Sequence, residues 1–88
     1  MDLTELRQQI DQIDEQLVAL FIDRMKVSGE VAAVKKASGK AVFDPEREKV
    51  KIAEIRCLAG DEWKDDADRL YSLIMELSRE HQRRLGAE

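Results

Sequence analysis

The sequence predicts an all-α protein of three helices, one of them very long. Apolar residues recur at alternating spacings of three and four from Leu3 through Leu6, Ile10, Ile13, Leu17 and Leu20, and the series resumes at Val27, Val31 and Val34. That is the period of one continuous helical stripe. Composition agrees: aromatics make up 5% of the chain and proline occurs once, while Leu, Ile, Val, Ala, Glu and Lys dominate, a mix that favours helix over sheet. The third observation is one of scale. A compact monomer of this length has a diameter of roughly 30 Å, whereas a helix of about 36 residues is a rod of ~54 Å. The shorter helices that follow cannot cover such a rod, so a second copy of the chain is expected beside it, in an intertwined homodimer with the long helices paired.

The first helix is expected from Asp2 or Thr4 to Ser38, with Gly39 providing the left-handed stop. Gly39 to Phe43 is a short loop. Asp44-Pro45-Glu46 is a strong helix start, with Asp as N-cap, Pro at the first position and an acid in the first turn. The second helix runs to about Leu58 and is closed by Gly60; Val50, Ile52, Ile55 and Leu58 give it an imperfect apolar face. A loop over 60–65 follows, in which Trp63 is expected to anchor to the core edge. The third helix is expected from Asp65 or Asp66 to Leu85, with Leu70, Leu73, Ile74, Leu77 and Leu85 buried and Gly86 ending it. No internal repeat or linker divides the chain, so residues 1–88 form one domain.

Charge narrows the function. Charged residues reach 39%, but apolar residues reach 43% and keep their period, so the chain reads as folded. A formal charge of −4 argues against a nucleic-acid or anionic-membrane surface, which needs a broad basic face. Cys57 has no partner for a disulfide, which suits a reducing compartment, and it reads as a small core residue. The N-terminus lacks the charge pattern of a signal peptide, and no apolar stretch approaches the ~20 residues that cross a bilayer. A cytoplasmic protein is expected.

Arg24 is the informative residue, because it occupies a slot where the stripe demands an apolar side chain. A guanidinium on a buried seam costs several kcal/mol unless an anion meets it. Arg24, Ser28, Val31 and Lys35 fall on one line of the helix, with Arg24 and Lys35 about 16 Å apart along the axis. Two long side chains leaning inward can grip opposite ends of a small dianion, and Ser28 leaves room between them. Arg7 lies ~25 Å from Arg24 on the same helix. It cannot share a small site with Arg24 in one chain, but it can across an antiparallel helix pair; on spacing alone, an exposed ion pair with Asp11 is the simpler reading. Arg47 sits where the second helix's dipole disfavours a cation, which suggests another task, while Glu48 alone is an ordinary first-turn acid. Tyr71, Met75, Ser78 and Gln82 share a line of the third helix; taken alone they read as a solvated flank. His81 has no second ligand for a metal and reads as a surface residue. No phosphate loop, nucleophile–base pair or carboxylate pair appears. The set that remains binds and polarises.

In combination these residues resemble the all-helical class of chorismate mutases. The resemblance rests on 6–14 (LRQQIDQID), on Arg24 followed by Val31 to Lys35, on Val42-Phe43-Asp44 with Arg47-Glu48-Lys49, and on Ser78 with Gln82, and it spans the chain. It implies an intertwined dimer with two equivalent sites that converts chorismate to prephenate on the way to phenylalanine and tyrosine. The reaction is an intramolecular Claisen rearrangement that needs no cofactor and no metal. Carried over by position, Arg7 of the partner chain, Arg24 and Arg47 would bind the two carboxylates, and Lys35 and Gln82 would donate to the ether oxygen. Glu48, with the backbone at Asp44, would hold the ring hydroxyl, and Ser78 would line the carboxylate end. Two local departures stand out: Ala41 replaces the proline often found in this loop, and Gly29 sits inside the long helix at about 1 kcal/mol relative to Ala. No fused dehydratase or dehydrogenase is expected. The rivals are an isochorismate pyruvate lyase of the same fold, against which Glu48 counts, and a non-catalytic helical adaptor whose cations pair with Glu54, Glu76 or Glu80, against which Arg24 counts.

Overall fold

Three α-helices, α1 (Leu3–Ser38), α2 (Pro45–Ala59) and α3 (Lys64–Arg84), make up the computed structural model, which describes residues 1–88. The start of α1 is fixed by a capping box: Asp2 accepts from the Glu5 backbone N–H at 2.8 Å, and the Glu5 carboxylate accepts from the Asp2 N–H. Two of the helix's unpartnered donors are satisfied this way. At the other end Gly39 adopts φ 71° and its N–H returns to the Lys35 carbonyl. That left-handed conformation is one that a Cβ disfavours. The helix ends where the sequence places its stop.

Pro45 opens α2, and Asp44 accepts from the Arg47 N–H at 3.1 Å. The helix closes at Ala59, one residue past the expected Leu58, where the Gly60 N–H meets the Arg56 carbonyl at 3.2 Å. By contrast, α3 begins at Lys64, before the expected Asp65, with Trp63 in the cap position and no side-chain cap. The cause is the tight turn after α2. The N–H groups of Trp63 and Lys64 both bond the Gly60 carbonyl, so the chain is already winding before the acids arrive. Asp65 and Asp68 are used instead to hold Arg56, whose guanidinium donates to them at 2.8 and 2.9 Å. These hydrogen bonds, Asp65 first, raise the arginine's pKa above its ordinary value and tie the end of α2 to the start of α3.

The chain is long and thin, 54 × 26 × 14 Å with a radius of gyration of 16.0 Å, against about 12 Å for a compact chain of this length. α3 packs against both α1 and α2, while α1 and α2 do not pack on each other. The result is a wedge that opens between α1 and α2, with α3 as its floor. Only 8 of 88 residues are buried, too few for a complete core. The one apolar cluster among them joins Ala32 of α1, Val42 of the loop and Ala87 beyond α3, and it pins the loop and the C-terminal residues to α1.

Which faces are covered departs from expectation. On α1, Leu3, Leu6, Ile10, Ile13, Leu17 and Leu20 remain 43–65% exposed, so the stripe is present and left uncovered by the rest of the chain. On α3 the expected buried leucines Leu70, Leu73 and Leu85 are exposed, whereas Met75, Ser78 and Gln82, which read alone as a solvated flank, are buried. The polar residues Ser78 and Gln82 face α1, Ile74 and Leu77 are half-buried, and Leu70 and Leu73 are left exposed. Trp63 is 58% exposed rather than docked at a core edge; it sits in the tight turn closed on the Gly60 carbonyl, between the two helix ends that Arg56 ties together. Cys57 is exposed too, not a core residue.

Gly29 has a clear structural reason. A Cβ built there would lie 3.3 Å from His81 Nε2 and 3.3 Å from Leu85 Cδ1, so this glycine lets α3 cross α1 closely. His81 is accordingly half-buried at the crossing rather than free on the surface. Gly29→Val is expected to overpack the crossing and destabilise the protein by about 1–3 kcal/mol, read as a lowered urea midpoint at unchanged slope.

Candidate active site

The wedge between α1 and α2 holds a cavity of about 340 Å³, at the small end of the range for ligand sites, roughly 300–1,000 Å³. From α1 come Arg24, Ser28, Val31 and Lys35, the line that the spacing places on one face. The loop and the first turns of α2 add Asp44, Arg47 and Glu48, and α3 supplies Ser78 and Gln82 from below. Every site residue expected from the sequence is gathered here except Arg7. Arg7 stays on the exposed N-terminal half of α1, as its axial separation from Arg24 requires.

The cations are arranged for a guest. No ion pair engages Arg24, Lys35 or Arg47. Arg24 lies over the Tyr71 ring, 5.8 Å from its centroid, a contact that orients a guanidinium without neutralising it. Lys35 Nζ donates to the Val42 carbonyl at 2.8 Å; an ammonium carries three donors, so two remain for the cavity. The same bond fastens the loop that forms the cavity's rim. Asp44 is occupied with capping α2, which leaves Arg47 at the head of that helix where backbone N–H groups add to the positive field.

The floor is neutral and hydrogen-bonded. Ser28 and Ser78 share a short hydroxyl–hydroxyl bond, and Gln82 Nε2 donates to Ser28 Oγ at 3.0 Å. Gln82 Oε1 is buried without a partner. An orphaned polar atom in a buried site is costly, and this one is an acceptor beside the Nε2 that holds Ser28. Ser28, valued in the sequence only for its small size, is thus also the residue that holds Gln82.

Two further cations line the cavity, Lys51 and Arg79, and neither stands out in the sequence. Lys51 follows Arg47 by one helical turn, a spacing that does place them together. It donates to Glu54 at 2.9 Å, and this bond, with the lysine's charge, lowers the Glu54 pKa below its ordinary value. Arg79 of α3 pairs with Glu48 of α2 at the edge of the floor. Chemically the arrangement can bind a small anion with more than one carboxylate, donate hydrogen bonds from Lys35 and Gln82, and accept one at Glu48.

Comparison with known proteins agrees with this chemistry. A family model described as chorismate mutase type II matches residues 6–83. A chorismate mutase of Methanocaldococcus jannaschii is 37% identical over 59 residues, which cover 67% of this chain and 60% of that protein. A T-protein of Haemophilus influenzae is 31% identical over 78 residues, 89% of this chain and 20% of that protein. A T-protein of Enterobacter agglomerans is 40% identical over 55 residues, 62% of this chain and 15% of that protein. The matches therefore span less than two thirds of each relative's length. No solved structure gives a significant match.

Proposed function

The chain belongs to the chorismate mutase type II family, and from that membership we propose that it converts chorismate to prephenate, a step of aromatic amino acid biosynthesis. The observation that carries the proposal is the meeting of three unpaired cations, Arg24, Lys35 and Arg47, with Gln82 and Glu48 around one cavity of metabolite size. Chorismate is a flexible dianion, and its [3,3] shift requires the enolpyruvyl side chain to be folded over the ring. Clamping both carboxylates selects that compact chair and removes rotational freedom before the reaction begins.

As the ether C–O bond breaks, negative charge grows on its oxygen. Lys35 from α1 and Gln82 from α3 supply donors from two sides of the wedge, and a fixed donor aimed at developing charge stabilises the transition state more than the ground state. Gln82 Nε2 gives one N–H to Ser28, and an amide NH₂ carries a second donor, which is the one this role uses. Glu48 accepts from the ring hydroxyl beside the backbone at Asp44, while Ser78 lines the carboxylate end. No proton is transferred and no covalent intermediate forms, so the absence of a nucleophile–base pair costs the site nothing.

The active form is a homodimer. The uncovered stripe on α1 and the exposed Leu70 and Leu73 on α3 support this, since a second antiparallel copy would cover the stripe and bring its own Arg7 beside the partner's cavity. No helix is long and apolar enough to cross a membrane, in keeping with a cytoplasmic enzyme acting on a small metabolite.

The deciding experiment is an ultraviolet assay of chorismate consumption by the purified chain, with prephenate as the expected product. A folded chain that consumes no chorismate would overturn the proposal. Pyruvate release from isochorismate, with chorismate untouched, would assign it to the lyase chemistry of the same fold instead.

A further inference from the structure

We propose that Arg79 is a positioning residue for Glu48 and, through it, a determinant of specificity for a substrate that carries a ring hydroxyl. This rests on the mutase reading of the cavity and names a residue which that reading leaves without a task.

Arg79 stands on α3 and Glu48 on α2, and they form the only ion pair made between two groups that both line the cavity. Their side chains are 23% and 22% exposed, so water screens this pair less than it does the surface pairs around it. The guanidinium is held on its other side by the Phe43 ring, 5.1 Å from the centroid. Phe43 immediately precedes the Asp44 cap, so loop, α2 and α3 meet at this one cation. A planar guanidinium gripped by a ring and a carboxylate has little freedom left. It is therefore unsuited to capture a substrate carboxylate, for which Arg24, Lys35 and Arg47 are free.

Two consequences follow for Glu48. Arg79 Nη1 donates to Oε1, and a carboxylate has about four lone-pair sites, so Oε2 remains as an acceptor whose direction is fixed. Charge matters as well. An unpaired Glu48 would repel a dianionic guest, whereas the paired carboxylate keeps its accepting oxygen at little electrostatic cost. Arg79 thus converts an acid that would oppose binding into a directed hydroxyl acceptor.

The test compares the full-length parent chain with Arg79→Met, Arg79→Lys, Glu48→Gln and the Arg79→Met/Glu48→Gln double variant. Each is assayed with chorismate and with an analogue lacking the ring hydroxyl, after circular dichroism establishes folding. Arg79→Met is expected to lower kcat/KM for chorismate by about 10- to 100-fold, the scale of a lost hydrogen bond to a charged group. Arg79→Lys should recover much of that loss. In the Glu48→Gln background the same change should cost less than about threefold, because coupled residues are not additive. On the analogue, Arg79→Met and the parent should perform alike. Additive losses, or an equal loss on the analogue, would overturn the positioning role while leaving the mutase assignment in place. If Arg79→Met does not fold, Arg79→Gln is carried through the same comparison. A parent chain inactive on both compounds would overturn the functional reading, and this inference with it.

Discussion

Replacing Lys35 with alanine is expected to lower kcat about 10²- to 10³-fold, the cost of removing one donor aimed at developing negative charge. Lys35 sits near the end of α1, where the helix dipole favours a cation, and its side chain reaches the cavity while bonding the Val42 carbonyl at 2.8 Å. The loss should fall on kcat at least as heavily as on kcat/KM, because the ether oxygen acquires its charge only as the bond breaks. Loop anchoring is a competing explanation, since the Val42 carbonyl also loses its donor. Circular dichroism and size exclusion on the variant address it: helix content and assembly should match the parent, because Ala32, Val42 and Ala87 still hold the loop by packing. Near-normal turnover would remove Lys35 from the ether oxygen.

A larger effect is expected from mixing two disabled chains. In the proposed homodimer, Arg7→Ala and Lys35→Ala chains should each be almost inactive. After subunit exchange, a heterodimer contains one site built on an intact Lys35 and completed by an intact Arg7 from the other copy, and one site lacking both. Random exchange makes half the dimers mixed, so recovery should approach about a quarter of parent turnover, far above either variant alone. The geometry motivating this is plain: Arg7 lies in the stretch of α1 through Leu20 in which every residue is exposed, and it is ~25 Å along the axis from Arg24. No recovery, once exchange is verified by labelled chains, would remove Arg7 from the partner's site.

Much of this architecture can be read from residue order because its local signals agree with one another. The Asp2 and Asp44 caps, Pro45 and Gly39 all lie where the periodic segments begin and end, and the line from Arg24 to Lys35 is a direct product of helical geometry. The faces of α3 are less legible. Leu70 and Leu73 outrank Ser78 and Gln82 in hydrophobicity, yet Ser78 and Gln82 are buried against Ser28 of α1 while the two leucines stay exposed. Periodicity reports that a face prefers cover and is silent on whether that cover comes from the same chain. Trp63 and Cys57 show the same limit: apolar character gives a preference, and the position of a turn decides whether it is met. Arg79 is hidden for another reason. Beside Ser78 it looks like any solvated arginine, and its meaning appears only when Glu48, 31 positions earlier, is brought against it.

The thinness of the chain has a consequence for how the proposed dimeric enzyme would accumulate. With eight residues sheltered from water, a solitary copy gains little by completing its fold, so ordering and pairing would be one event rather than two. Mature catalyst would then form at a rate proportional to the square of chain abundance. A cell making few copies would hold disproportionately little activity, and a modest rise in synthesis would be amplified at the level of flux.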